Sequence, residues 1–291
     1  MFYLEKESQV TVINTNVSAT LASNAIARNE RAMGTAMERL STGKRINSAA
    51  DDAAGLAIAS RMASQVKGLE QAVRNVGDAI SMVQTFEGAG KEVLNILSRM
   101  KELAVQAASG TYSQDDRTAL NLEYQELEAQ IKDIGDDTEW NGMKLMTTDH
   151  TATLNIQIGA GSGQTMTMAF KDWDTTANPG DGAFGVVLNG LSIDGADSTN
   201  ATAAITGLTT AIDNVSSTLA TQGAYINRLE YASDNLLNVA QNTDASRSRI
   251  EDADYAKETS ELAKTQIIAQ AGTAMLAQAN QIKQTVLALL Q

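Results

Sequence analysis

The sequence predicts a mainly α-helical protein: an elongated coiled-coil rod, made of a terminal helix pair and a three-helix domain, with a small β-containing insertion. Pro179 is the only proline in 291 residues, and proline interrupts the hydrogen-bond ladder of a helix. Aromatic residues make up only 4% of the chain, although they usually supply much of the core energy of a compact globule. Seven-residue apolar repeats on both sides of the middle complete the prediction.

The two ends of the chain predict one helix each, over about residues 14–41 and 252–290. Their apolar residues recur at steps of three and four, which places a stripe along one helix face. The N-terminal stripe comprises Ile13, Val17, Leu21, Met33, Met37 and Leu40, and the C-terminal one Met275, Leu276, Ala279, Ile282, Val286, Leu289 and Leu290. Pairing the two helices leaves apolar area in water at a cost of about 25 cal/mol per Å², so we expect self-association to cover the rest.

Between the ends, three longer apolar series predict helices packed side by side. The series are Met62 to Met100, with a phase slip between Val83 and Phe86, then Leu120 to Ile134, and Ile205 to Leu236. A helix from about Ala53 to Ala108 would be roughly 80 Å long at 1.5 Å per residue. Ordinary amphipathic helices in a globule are the alternative, and this length argues against it.

Helix starts are marked by serine and an acidic residue three positions later, the spacing of a capping box. The pairs are Ser48 with Asp51, Ser113 with Asp116 (before a helix over 114–135) and Ser248 with Glu251. The resulting division is an extension (1–11), a first helical domain (12–47 with 248–291), a rod domain (48–146 with 201–247) and a surface domain (147–200).

The middle, residues 147–200, is rich in Thr, Gly, Asp and Asn. Short alternating runs at 151–158, 164–170 and 183–188 predict β-strands joined by glycine-rich turns. The GAGSG sequence at 159–163 is interpreted as one of these hairpin turns.

Composition excludes several functions. A net charge of −13 disfavours nucleic acid and anionic membrane surfaces as partners. No apolar run approaches the roughly 20 residues that cross a bilayer, and Glu5, Lys6 and Glu7 interrupt the apolar core that a signal peptide would need.

No catalytic, cofactor or metal site is predicted. GAGK at 88–91 lacks the first glycine and the hydroxyl residue of a phosphate-binding loop. His150 is the only histidine and cysteine is absent, so HExxH zinc sites and thiolate metal sites are excluded, and no histidine-based triad is predicted.

Several long motifs resemble bacterial flagellin. They are VINTN at 12–16 and the stretches 34–62, 98–117, 140–146 and 245–281. The resemblance covers residues 12–147 and about 205–291. It implies a structural protein that self-assembles through its terminal helices into a secreted, extracellular filament used for swimming. It further implies unfolded export through the flagellar type III channel, a chaperone that holds the C-terminal helix, and filament-cap and hook-junction proteins as partners.

The resemblance also implies recognition by an innate immune receptor of the Toll-like class. Its contacts carry over to Arg99, Leu103 and Glu123, beside Ser98 where the family usually has glutamine. The alternative for Arg99 is a surface charge that contacts the next copy of the chain.

Two other departures from the family are the residues before VINTN and Lys283, which stands where proline is common. Three rival functions stay open at this point: a hook–filament junction protein, an adhesin that uses 147–200, and an enzyme inserted in the middle. The short middle segment, with one histidine in the whole chain, argues against the enzyme.

Overall fold

The computed structural model describes residues 15–146, 153–171, 173, 188 and 191–288, with side chains described up to residue 281. These residues form five helices: α1 (Val17–Thr42), α2 (Ala53–Ala107), α3 (Gln114–Asp137), α4 (Thr199–Glu251) and α5 (Tyr255–Ala288). Four short strands form two hairpins. This confirms the mainly α fold with a small β-containing insertion.

The chain divides into two compact units. The first comprises residues 1–63 with 244–291, and the second comprises residues 64–243. This division falls at residues 63 and 244, whereas the sequence analysis placed the boundaries at 48 and 248.

In the first unit α1 and α5 pack against each other in antiparallel orientation. Near one end Asn16 Nδ2 donates to the carbonyl of Ala279, and at the other Arg39 forms an ion pair with Glu258. Asn16 caps α1, because its side chain accepts from Ala19 N–H. The helix ends at Gly43, whose φ of 72° is the left-handed conformation that glycine adopts most easily.

Two short connectors in the first unit are joined by an antiparallel bridge between Lys44 and Asp252. Arg45 N–H donates to the Glu251 carbonyl over 2.7 Å, and Ala253 N–H donates to the Gly43 carbonyl over 2.9 Å. The Ile46 side chain is buried beside this bridge. Residues far apart in the chain are thus tied together next to the helix pair.

The capping-box prediction is confirmed for α3 only. Asp116 N–H donates to Ser113 Oγ, and Asp116 Oδ2 accepts from Ser113 N–H. Ser113 Oγ also donates to Asp116 Oδ2 over 2.7 Å, and this hydrogen bond first, then the one from Ser113 N–H, lowers the pKa of Asp116.

The other two boxes are wrong as helix starts. Asp51 accepts from Ser48 N–H, but this closes a turn, and Asp52 caps α2 through Gly55 N–H. Ser248 lies in the last turn of α4, and Asp254 caps α5 through Ala256 N–H. The reason is geometric, since a three-residue spacing also occurs within helices and turns, and only the backbone around it decides which N–H groups need a partner.

The second unit contains the large hydrophobic core, to which α2, α3, α4 and the insertion contribute. At its centre the Phe86 ring lies 5.3 Å from Phe170 and 5.1 Å from Trp173, measured between ring centroids. A Cβ at Gly90 would lie 2.7 Å from the Trp173 ring. The predicted phase slip therefore places Phe86 and Gly90 where the insertion packs against α2. The GAGK sequence at 88–91 is part of the α2 helix.

Polar side chains on α3 hold the segment that precedes α4. Arg117 is buried, donates through Nε to the Ala107 carbonyl over 2.9 Å, and donates through Nη1 to the Ala196 carbonyl over 3.2 Å. Asn121 Oδ1 accepts from Ile193 N–H over 3.1 Å. The end of α2, the start of α3 and the return to α4 are thereby joined.

The predicted hairpin in the insertion is confirmed. Strand β3 (Leu154–Gln157) pairs antiparallel with β4 (Thr165–Met168), with Leu154 opposite Met168. The turn lies at 159–163, as predicted. For the third predicted strand, 183–188, residues 183–187 lie outside the described residues.

A second hairpin was missed. Strand β1 (Glu139–Trp140) pairs with β2 (Met143–Lys144) across Asn141 and Gly142, whose φ angles are 50° and 76°. Asn-Gly is the preferred pair for a two-residue turn with two positive φ angles, so the signal was present in the sequence.

Candidate assembly surface

The contact between α1 and α5 is a narrow seam built mostly from small side chains. On both helices the positions turned toward the partner are spaced alternately by four and three residues. They are Ala22, Ile26, Asn29, Met33, Ala36 and Leu40 on α1, and Glu258, Leu262, Thr265, Ala269, Gly272, Leu276 and Ala279 on α5. A Cβ at Gly272 would lie 2.9 Å from Ile26 Cγ1, so the absence of a side chain allows the close approach.

Large apolar side chains lie outside the seam. We call six of them the outer apolar residues: Val17, Leu21 and Met37 on α1, and Ile267, Ile268 and Met275 on α5. Val17 is 65% exposed, Leu21 68% and Met275 67%. The hydrophobic side chains buried in the described part of the first unit are only Ala36, Ile46 and Ala59.

The predicted assembly residues fall into three groups. Val17, Leu21 and Met275 are outer apolar residues, whereas Leu40 and Leu276 are half-buried in the seam. The side chains of Ile282 and Val286 on α5 are not among those described, and Ile13, Leu289 and Leu290 lie outside the described residues. The sequence interpretation missed Ile267 and Ile268, although Ile268 precedes Met275 by one heptad.

The predicted receptor residues lie in the second unit, where α2 and α3 pack side by side. Arg99 donates to Glu123 Oε1 through Nη2 over 2.9 Å and to Glu102 through Nη1 over 3.1 Å. The hydrogen bonds that Arg99 donates to Glu123 first, then the one to Glu102, raise the pKa of Arg99. Arg99 and Glu123 are exposed, but Leu103 is only 1% exposed and belongs to the core.

The core beside this cluster contains a buried phenol. The Tyr124 hydroxyl has no hydrogen-bond partner among the described residues, and burial raises its pKa. Burial also raises the pKa of Glu128, one turn further along α3.

Within the residues that the structure describes, no three His, Cys, Asp or Glu side chains are grouped as a metal site. None of the described helices combines the length and the apolar character needed to cross a membrane.

Comparison with known proteins identifies both ends of the chain. Residues 13–151 match the family model of the bacterial flagellin N-terminal helical region, and residues 205–290 match that of the C-terminal helical region. A flagellin of Halalkalibacterium halodurans is 43% identical over 96% of this chain and 100% of its own length. The flagellar filament 33 kDa core protein of Treponema phagedenis is 40% identical over 96% and 100%.

A solved structure shares the fold. It is a putative flagellar hook-associated protein from Vibrio parahaemolyticus, which aligns with 69% of this chain and 100% of its own, with a TM-score of 0.59 and 14% identity. At that identity the similarity concerns the fold alone. The family models and the relatives over nearly the full length together show that this chain belongs to the bacterial flagellin family, whose members are structural subunits of the flagellar filament and not enzymes.

Proposed function

We propose that this chain polymerises into the flagellar filament by burying its outer apolar residues against neighbouring copies. The observation that carries the proposal is the exposure of Val17, Leu21 and Met275 on a helix pair that has almost no core of its own. Single exposed apolar side chains are ordinary on a protein surface. A group of them on one helix pair is typical of an interaction site.

The energy of such burial is large enough to drive assembly. Fully burying a Val, Leu, Ile or Met side chain contributes about 1.5–3 kcal/mol. Ordering the subunits costs free energy, but each copy in a helical polymer makes several contacts. A neighbour of the same sequence would cover the outer apolar residues repeatedly along the polymer.

The sharp test replaces two outer apolar residues, Leu21→Ser and Met275→Ser, in one full-length chain. We expect the polymer recovered by sedimentation after salt-induced assembly to fall at least tenfold, because two apolar contacts of this size amount to several kcal/mol. The thermal unfolding of the protomer should hardly change, since both side chains are exposed.

The matched control is Leu122→Ser, which removes a side chain 63% exposed on α3 of the second unit. We expect this variant to yield much more polymer than the chain with Leu21→Ser and Met275→Ser. Equal loss of polymer in both variants would contradict the assignment of assembly to the helix pair. Deleting residues 277–291 should also abolish polymerisation, and normal filaments in electron micrographs of that truncation would refute the role of the C-terminal helix.

The family also supports a proposal about partners and location. We infer that the chain is exported unfolded through the flagellar type III channel, that a chaperone holds its C-terminal helix, and that it meets the filament cap and hook-junction proteins outside the cell. A chain without cysteine forms no disulfide that would oppose unfolding before export. Retention of the protein inside export-defective cells would be the expected result, and its release from them would contradict the route.

Receptor recognition is a second proposal, favoured by the exposed pair of Arg99 and Glu123. We propose that these two side chains contact a flagellin-sensing Toll-like receptor, while Leu103 acts from the core by supporting α2. Arg99→Ala should reduce receptor activation by depolymerised protein, whereas Arg61→Ala, an exposed change on α2 in the first unit, should not. Equal receptor activation by both variants would contradict the receptor role of Arg99 and would favour the alternative, a contact between copies of the chain.

The hook–filament junction protein is the nearest rival function. Relatives named flagellin or filament core protein at 40–43% identity over their full length favour the filament subunit. Abundance decides between the two, because the protein of sheared filaments should be mostly this chain if it is the filament subunit.

A further inference from the structure

The apolar part of the α1–α5 seam does not by itself determine which helices pair. Ile26, Met33 and Leu40 recur every seven residues on α1, and Leu262, Ala269 and Leu276 do so on α5. Two copies of α1, or two copies of α5, could therefore bury similar side chains against each other. In a polymer many copies of both helices are crowded together, so some other contact must choose the partner.

Polar side chains join α1 to α5 across the seam. Asn29 Nδ2 on α1 donates to the Thr265 carbonyl on α5 over 2.7 Å. Arg39 Nη1 lies 3.2 Å from Glu258 Oε1, and the exposed fraction of the Glu258 side chain is 8%. A carboxylate this deeply buried is costly unless a cation lies beside it.

The described side chains give neither helix the missing charge for a second copy of itself. Among the side chains described up to residue 281, the α5 positions turned toward the seam include an acid, Glu258, but no Lys or Arg. Those of α1 include no acid, since Glu30 and Glu38 are exposed. Parallel pairing of α5 with α5 would place two Glu258 carboxylates side by side, and pairing α1 with α1 would leave Arg39 without an acid.

The helix ends favour the same arrangement. Arg39 lies in the last turn of α1, and Glu258 lies in the first turn of α5. A cation at a helix C-terminus and an anion at a helix N-terminus each interact favourably with the helix dipole. The antiparallel pairing brings these two ends together.

We propose that Arg39 and Glu258, assisted by Asn29, are the specificity-determining residues that make α1 pair with α5 and not with a second copy of α1. The pairing rule follows from the seam alone. Its consequence for filament formation rests on the polymerisation proposed above.

The test uses a charge exchange between two full-length chains. Arg39→Glu places two acids at the contact within one chain, and Glu258→Arg places two cations there. In a mixture, α1 of the first variant meets its complement on α5 of the second, and the remaining helices match in the same way. We therefore expect the two variants to exchange helices, each α1 pairing with α5 of the other chain.

Disulfides report the exchange, because the chain has no cysteine of its own. Ile26→Cys is added to the Arg39→Glu chain, and Gly272→Cys to the Glu258→Arg chain. Position 26 approaches position 272 closely, since a Cβ at Gly272 would lie 2.9 Å from Ile26 Cγ1. This is within the reach of a disulfide, whose Cβ atoms lie about 3.5–4.5 Å apart.

We expect roughly tenfold more 26–272 heterodimer from this mixture than from the same cysteine chains with native charges, because 1.4 kcal/mol of lost pairing within each chain is tenfold in population. The matched control carries Glu38→Arg in place of Arg39→Glu and Lys257→Glu in place of Glu258→Arg. These exposed neighbours should leave the yield at the native level.

Two results would overturn the proposal. One is a heterodimer yield no higher than in the control mixture. The other is a rise in 26–26 disulfides between two copies of the Arg39→Glu chain that is as large as the rise in 26–272 disulfides. That result would mean that the substitution unfolds the helix pair without selecting its partner. Sedimentation of the mixture separates the two proposals: heterodimers that form but do not polymerise would leave the pairing rule intact and count against the proposed assembly.

Discussion

The two units of this protein share a seven-residue apolar repeat, but they bury its side chains to different extents. In the second unit helices α2, α3 and α4 and the insertion surround one core, so Phe86, Val93 and Met100 are fully buried. In the first unit α1 packs mainly against α5 among the described elements, and Val17 and Leu21 stay in water. A helix with one neighbour can cover one face, whereas a helix in a bundle is covered on several. The difference distinguishes a unit that completes its own core from one that leaves large apolar side chains exposed.

The type of side chain differs in the same way. The second unit places aromatic rings at its centre, where Phe86 contacts Phe170 and Trp173. The seam of the first unit contains no aromatic ring among its described positions and combines aliphatic, alanine and glycine residues with polar ones, Asn29 and Glu258 among them. Large rings supply stability, while polar contacts in a thin seam supply selectivity at some expense of stability.

Substituting glycine by alanine tests the difference in packing between the two units most directly. Gly90→Ala would place a Cβ 2.6 Å from Leu219 and 2.7 Å from Trp173. We expect the free energy of unfolding of the second unit to fall by about 1–3 kcal/mol, because the core must move to admit the methyl group. Gly34→Ala on α1 meets nothing within 4 Å, and it should stabilise the helix by up to about 1 kcal/mol.

Gly88→Ala is the control within α2, since a Cβ there also meets nothing within 4 Å. Denaturant unfolding followed by circular dichroism measures all three variants. If Gly90→Ala stabilised the protein as Gly88→Ala does, the dense packing assigned to the Phe86 cluster would be wrong.

A smaller effect on stability is expected from Glu128, the acid at the edge of the core of the second unit. Burial raises the pKa of Glu128, so the folded protein binds a proton more tightly there than the unfolded chain does. This side chain favours folding at low pH, and the contribution is lost as pH rises from the ordinary glutamate value, about 4.3, through the raised value. We therefore expect Glu128→Gln to be more stable than the native chain at pH 7 and equal to it below about pH 4.

Thermal unfolding across that pH range measures the difference, with Glu126→Gln as the control on the exposed face of α3. A stabilisation by Glu128→Gln that did not depend on pH would rule out the desolvated carboxylate as its cause.

Local patterns were sufficient for the helices and the insertion hairpin. The series from Met62 to Met100 and the turn at 159–163 were predicted correctly, because apolar spacing and glycine-rich turns act within a few residues of each other. The capping boxes show that local spacing alone does not identify a helix start. Ser113 and Asp116 begin a helix, while the same spacing at Ser48 closes a turn, and only the course of the surrounding backbone distinguishes them.

The exposed apolar surface of the helix pair could be predicted only in part. Val17, Leu21 and Met275 were identified as apolar residues in need of cover, but they were expected to share a stripe with Leu40 and Leu276, which face the seam. Helical spacing shows which residues lie on the same side of one helix, but it carries no information on which side meets the partner. That choice came from close approach at Gly272 and from the Asn29 and Glu258 contacts, which join residues more than 200 positions apart.

The sequence by itself determined the helices, their lengths and the surplus of apolar surface at the two ends, since all of these follow from neighbouring residues. Only the tertiary structure decided which of those apolar side chains the helix pair covers and which it leaves exposed. The reason is that burial depends on the rotation of one helix against another, and contacts between distant parts of the chain set that rotation.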